Sequence, residues 1–341
     1  MAQINKPGLH FNTITYTGNG GTQALTGVGF QPDLLWIKQR NESRSHQIMD
    51  AVRGANVRIK ADSTEAETSS ALTSFDSDGF TVNGTSLDGT NKSSGSYVAW
   101  NWKAGGAGSS NSDGSITSTV SVNTTAGCSI VKYAGAAGTS GTVGHGLGAV
   151  PNGIWLKDLA TNNWNVYHSS LANSQYLQLN EAAAVGSATS RWNNTTPTST
   201  VFTVGNDDSV NNSGRNFIAY VFAEKKGYSR IGSYIGTSNA DGPFIYCGFR
   251  PNFLLIKNAS SGNQLWELFD NKRIGYNPNN RRIYTNTNDA EDTSLRLDLL
   301  SNGFKLRTNG SHVNNNGQTM VFWAFAEHPL VGTNNVAGVA R

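Results

Sequence analysis

Cysteine is almost missing from this chain. Two in 341 residues, Cys128 and Cys247, stand far apart and outside any metal-ligand spacing, which excludes a disulfide scaffold and a thiolate zinc site. Both read as small buried hydrophobes. Charge is scarce as well: 14% of residues are Asp, Glu, Lys or Arg, and the net charge of +3 is spread along the chain. No basic stripe is available to neutralise phosphates, so nucleic acid is not an expected partner. No apolar run reaches the length of a membrane span, and the opening MAQINKPGLHFNTITYTG lacks the charged start and apolar core of a secretion signal. The expectation is a protein made in a cytoplasm, without membrane insertion. Triplets such as Asn123-Thr124-Thr125 then read as by-products of an Asn/Thr-rich chain rather than glycosylation sites.

Gly, Ser, Thr and Asn dominate instead, which suits short strands joined by many turns. A hydrophobic share of 37% suffices for small cores, and one large core is not expected. Three stretches read alike. NKSSGSYVAWNWKA from Asn91, NNSGRNFIAYVFAE from Asn211 and NNNGQTMVFWAFAE from Asn314 each run from Asn through a Gly turn into alternating bulky residues. The alternation Val98, Trp100, Trp102 returns as Ile218, Tyr220, Phe222 and as Val321, Trp323, Phe325. That is strand periodicity, and the interleaved positions are mostly apolar too, so a strand covered on both faces is expected. The aromatics therefore read as core, with Trp100, Tyr220 and Trp323 at equivalent positions, rather than as a ligand-stacking platform.

Two more motifs recur in the same order. GFQPDLLWIK, LGAVPNGIWLK and GFRPNFLLIK each set a proline before an apolar strand ending in lysine, a place where no ladder donor is needed. Upstream of each lies Tyr-x-Gly, at Tyr16, Tyr133 and Tyr234. The prolines Pro32, Pro151 and Pro251 stand roughly 100 to 120 residues apart, the length of a small domain. The sequence thus predicts an all-β protein of three tandem antiparallel β-sandwich domains, jelly-roll-like or lectin-like. Its expected parts are an N-terminal arm over 1–10, repeats over 11–104, 127–226 and 227–329, a flexible Gly/Ser/Thr-rich linker over 105–126, and a tail over 330–341.

Candidate chemistry is thin. HQIMDAVR, WNVYHSSL and WELFDNKR correspond, so Asp50 with Arg53 recurs as Asp270 with Arg273, while the second repeat has His168 and Leu171. The simplest reading is a structural ion pair in each domain; the functional alternative is a carboxylate and guanidinium that bind sugar. His145 and His168 have no nucleophile elbow near them. Glu65, Glu67, Asp76, Asp78, Asp207 and Asp208 could supply paired carboxylates for glycoside cleavage, but all sit in turn-like polar segments. The turn Asp76-Ser77-Asp78-Gly79 lacks a full calcium loop. No catalytic residue, metal or cofactor is expected. The loop from Asn271 to Arg282 mixes Arg273, Tyr276, Arg281 and Arg282 with asparagines, a set able to hydrogen-bond and stack on sugars.

The combination of GVGFQPDLLWIKQRN, SSNSDGSITSTVSVNTTAG, TVGHGLGAVPNGIWLK, NNWNVYHSSL, DGPFIYCGFRPNFLLIK and LSNGFKLR resembles a repeat family of tailed bacteriophages of cyanobacteria and other aquatic bacteria. Its members carry the labels tail fibre or virion structural protein. The resemblance runs from about Phe11 to Pro329 and brings no catalytic residues with it; Cys128 replaces an aromatic of the pattern. It implies a non-enzymatic virion protein assembled in the host cytoplasm: a tail fibre or receptor-binding fibre, homo-oligomeric and by preference trimeric. Residues 1–10 are expected to dock on other virion proteins, and the Tyr276 loop to meet a host glycan or protein. The rival readings are a capsid decoration protein or head fibre, and a glycan depolymerase.

Overall fold

The computed structural model describes residues 3–84, 89–136, 138–294 and 296–330. The protein is all-β, with several antiparallel sheets. One four-strand order occurs three times. An opening strand (Phe11–Thr17, Cys128–Ala134, Ser229–Ile235) pairs with a closing strand (Ser96–Trp102, Asn216–Phe222, Thr319–Pro329). The closing strand then pairs with the proline strand (Leu34–Gln39, Gly153–Asp158, Phe249–Asn258). The proline strand pairs with a fourth strand (Gln47–Asp50, Asn165–His168, Glu267–Asp270). Register agrees among the three: Trp36 lies opposite Trp100, Trp155 opposite Tyr220 and Leu255 opposite Trp323. Smaller sheets accompany these, namely Gln23–Thr26, Gly79–Val82 and Leu72–Asp76 in the first repeat and Phe244–Tyr246, Gly303–Leu306 and Leu297–Leu300 in the third. In the second repeat, Gly141–Gly144 pairs with Val201–Val204.

Alternation sends each closing strand's residues to two different cores. In the first repeat Tyr97 and Ala99 pack with Leu25, Leu72 and Phe80 of the small sheet, whereas Val98, Trp100 and Trp102 enter a cluster shared by all three repeats. That central cluster gathers Trp36, Trp155, Phe222, Phe253, Trp323 and Phe325 among others, all buried. The expectation of small separate cores is therefore corrected. A strand hydrophobic on both faces needs two covers, and the second cover of each repeat is the other two repeats.

Two further expectations are overturned. The segment 105–126 is not a flexible linker: Ser109–Asn111 and Ser118–Asn123 are strands, the latter paired along Cys128–Ala134. Its glycines permit close approach, since a Cβ at Gly105 would lie 2.8 Å from the Val122 carbonyl oxygen and one at Gly108 3.0 Å from that of Val120. The arm is not free either. Ile4 is buried in the central cluster, its N–H donates to Lys226 O at 2.9 Å, and Pro7–Leu9 form a 3-10 turn with Pro7 buried. An apolar side chain at position 4 finds its cover within its own chain. The tail expected from 330 onward lies, from 331, outside the described residues.

Candidate functional site

The recurrent Asp–Arg pairs sit at the end of the fourth strand and are built alike. Asp50 Oδ2 takes Arg53 Nε at 2.6 Å while Oδ1 accepts the N–H groups of Val52 and Arg53. Asp270 Oδ2 takes Arg273 Nε at 2.6 Å while Oδ1 accepts those of Lys272 and Arg273. Each guanidinium also donates to a backbone carbonyl five residues back, Ile48 or Leu268. All four side chains are buried. The carboxylate thus caps its own turn and fixes the arginine at once.

The same carboxylates reach across to another repeat. Tyr220 Oη of the second repeat donates to Asp50 Oδ2 at 2.8 Å, and Trp100 Nε1 of the first donates to Asp270 Oδ2 at 3.1 Å. At the third junction His168 stands where the aspartates stand, its ring edge-on to Trp323 at 4.7 Å. His168 Nδ1 accepts the Ser170 N–H at 3.0 Å, reproducing the turn cap, and its Nε2 lies 3.4 Å from Phe322 O. Burial pushes this imidazole down to about 4, so it is neutral. With both ring nitrogens occupied, no acceptor is left for the indole, and Trp323 Nε1 is buried without a partner. The junctions run from repeat two to one, from one to three and from three to two, which closes a ring.

Sequence reasoning missed two more rings of contacts. His46, Trp164 and Trp266 precede the fourth strands and bond to the carbonyls of Tyr284, Lys60 and Gln178, each in the neighbouring repeat, at 2.9 Å. The lysines ending the proline strands are buried, and Nζ of Lys38, Lys157 and Lys257 donates to the carbonyls of Asn288, Thr64 and Ala182 next door. Desolvation pushes these ammonium groups down to about 8 at Lys38 and Lys157 and about 7 at Lys257. The signal available in the sequence was a lysine recurring at the end of an apolar strand, where a snorkelling side chain is expected to find water.

Of the proposed sugar-binding set, Arg273 and Arg281 meet on one carboxylate, Glu291, and the four do not form an open site. Arg273 is buried between Asp270 and Glu291, and Arg282 between Glu267 and Asp292. Arg281 pairs with Glu291 at 3.3 Å, and Tyr276 alone of the four is open, at 66% exposure. Acids within the same repeat hold the guanidinium groups that the loop was expected to offer. Four of the six candidate carboxylates are occupied locally, Glu65 by Lys60, Asp76 by Ser74 and Thr81, Asp78 by the N–H groups of Gly27 and Gly29, and Asp207 by Arg191 and the Ser209 N–H, while Glu67 stands 3.6 Å from the Arg53 guanidinium and Asp208 lies in the first turn of a short helix. Among the described residues no three His, Cys, Asp or Glu side chains gather as a metal site would need. Both cysteines are buried and reduced.

No curated protein and no solved structure matches the chain. A family model matches residues 6–329, running through all three repeats as a single unit, and the chain belongs to that family, described as a domain of unknown function, DUF7483.

Proposed function

We propose that this protein is a non-enzymatic structural component of a tailed-phage virion, a tail fibre or receptor-binding fibre, formed of three sandwich-like units closed into one rigid body. The observation that carries the reading is the use made of the recurrent polar residues. Asp50, Arg53, Asp270 and Arg273 are buried, and the two carboxylates bond to rings of neighbouring repeats. Residues with the chemistry for a site hold the body together instead. The phage resemblance supplies the particle, and its motifs include His168 and the proline-strand lysines Lys38, Lys157 and Lys257, all of which meet a neighbouring repeat.

Host contact is assigned to the loop bearing Tyr276, whose ring faces solvent, and a homotrimer is part of the reading. Gold-labelled antibody against the protein should decorate the tails of purified particles, and the mass in solution should be three times that of the chain. Tyr276→Ala should lower adsorption to host cells with the protein still on the particle. Label on the head would favour the decoration reading, release of sugars from host polysaccharide would favour a depolymerase, and absence from particles would sink the proposal.

A further inference from the structure

The three repeats treat one side of the molecule differently. In the second repeat the opening strand is paired along its outer edge by Ser118–Asn123, with Ser118 opposite Tyr133 and Asn123 opposite Cys128. The same stretch closes the edge of the small sheet: Ile116 bridges to Val143, and Ser118 Oγ donates to Gly144 O. Ile116 and Val120 pack into that repeat's core. In the first and third repeats the opening strand is the last in its sheet among the described residues.

Those two open sides differ in chemistry. Matching register places Thr17, Ala24 and Thr26 of the first repeat at the positions of Ile235, Phe244 and Tyr246 of the third. The first set is polar or small; the third set is exposed by 54%, 45% and 59% and supplies half of the large exposed hydrophobics among the described residues. A cleft of about 480 Å³ adjoins it, lined by Ser229, Arg230, Tyr246 and Gly248. An unprotected strand edge flanked by exposed apolar side chains is a template for another strand, and soluble proteins normally blunt such edges. The first repeat follows that habit. The third repeat blunts only the start of its edge, where Lys225 O accepts the Ser229 N–H and Glu224 Oε1 the Ile231 N–H; the end, from Gly232 to Ile235, keeps its exposed apolar flank.

We infer that the second half of this edge strand, from Gly232 to Ile235, receives an extended segment of another polypeptide chain, added antiparallel as Ser118 and Val120 are added opposite Tyr133 and Val131 in the second repeat. The occupant's chemistry follows from that internal template: uncharged, rich in Ser and Thr, with branched apolar residues spaced as Ile116 and Val120 are. Main-chain hydrogen bonds supply affinity, and contacts to Ile235, Phe244 and Tyr246 supply selectivity for this edge. The inference does not depend on the virion reading.

The backbone defines a clean variant. Gly236 N–H donates to Gln318 O, so by antiparallel alternation Tyr234 and Gly232 also bond inward, and Ser233 turns its N–H outward. Ser233→Pro removes an outward donor and leaves the inner ladder intact. The probe is a fluorescently labelled peptide of residues 115–124, SITSTVSVNT, titrated into the intact protein and followed by anisotropy. Saturable binding is expected, weakened at least ~tenfold by Ser233→Pro and by the double change Phe244→Ser with Tyr246→Ser, whose side chains are already exposed. Thr15→Pro, at the matching position of the polar first edge, should leave binding unchanged, and a scrambled peptide should not bind. Thermal unfolding of each variant separates lost binding from lost fold. The inference is overturned by absence of saturable binding, by equal binding to the Ser233→Pro and wild-type proteins, or by a dimer of the free protein that Ser233→Pro converts to monomer, since that edge would then pair with its own copy.

Discussion

The junction of repeats one and three and the junction of repeats three and two are built at the same strand positions with different side chains. In the first, Asp270 holds Arg273 and accepts the Trp100 indole; in the second, neutral His168 with Leu171 nearby faces a Trp323 indole that has no acceptor. A carboxylate has enough lone pairs to cap its turn, bind a guanidinium and take a cross-repeat donor together. An imidazole accepts at one nitrogen, and the turn already uses it. Ring closure therefore tolerates a junction whose fourth strand offers the neighbouring indole no acceptor, at the expense of one orphaned N–H.

The largest expected contrast comes from removing the acceptors. Asp270→Ala leaves the buried Arg273 without its nearest partner and should cost about 3–5 kcal/mol. His168→Ala orphans no charge and should cost about 1–2 kcal/mol. Urea unfolding midpoints at unchanged slope measure both, and equal costs would erase the distinction between the junctions. Next in size is an attempt to convert one junction into the other. His168→Asp alone buries an unpaired carboxylate and should destabilise, whereas His168→Asp with Leu171→Arg should recover about 1–3 kcal/mol of coupling in a double-mutant cycle.

A finer comparison exchanges the indoles. Trp100→Phe and Trp323→Phe lose similar ring volume, but the first also breaks a hydrogen bond to Asp270 while the second removes an unsatisfied donor. Trp100→Phe should be the costlier by about 1–2 kcal/mol, and the reverse order would mean that Trp323 Nε1 is satisfied in solution. The gentlest effect is a tilt with pH. The buried lysines titrate at about 7 to 8 in the folded state against about 10.4 unfolded, so between those values the unfolded chain holds more protons and stability rises with pH. Well below pH 7 the lysine contribution vanishes, and the histidines that burial holds neutral, His168 at about 4 among them, carry the rise on toward acid pH. Lys257→Met should flatten the rise near neutrality, where the other two lysines have barely begun to lose protons; denaturant curves between pH 6 and 9 would read it, staying below the range where the buried tyrosines oppose it.

Much of the scaffold was legible in the sequence because it is local. The Asn-to-Gly turns before the closing strands, the prolines at strand entrances and the doubly apolar alternation all belong to short windows. The segment 105–126 was misread because its composition suggests freedom, while its glycines answer to backbone atoms of Val120 and Val122 that approach within contact distance. Arg273 and Arg282 were misread for a related reason. A loop arginine looks available until the acids folded beside it, Glu291, Glu267 and Asp292, are known.

By itself the sequence determined the all-β class, the three-fold repetition and the inward-facing aromatics, since period-two patterning and turn chemistry act over a few residues. Only the tertiary structure decided that the repeats share one central core, that each Asp or His meets a ring from another repeat, and that the opening edge is covered by a further strand in one repeat and, among the described residues, in neither of the others. Those outcomes depend on which face meets which, between residues such as Trp100 and Asp270 that lie 170 positions apart, and no local pattern encodes that choice.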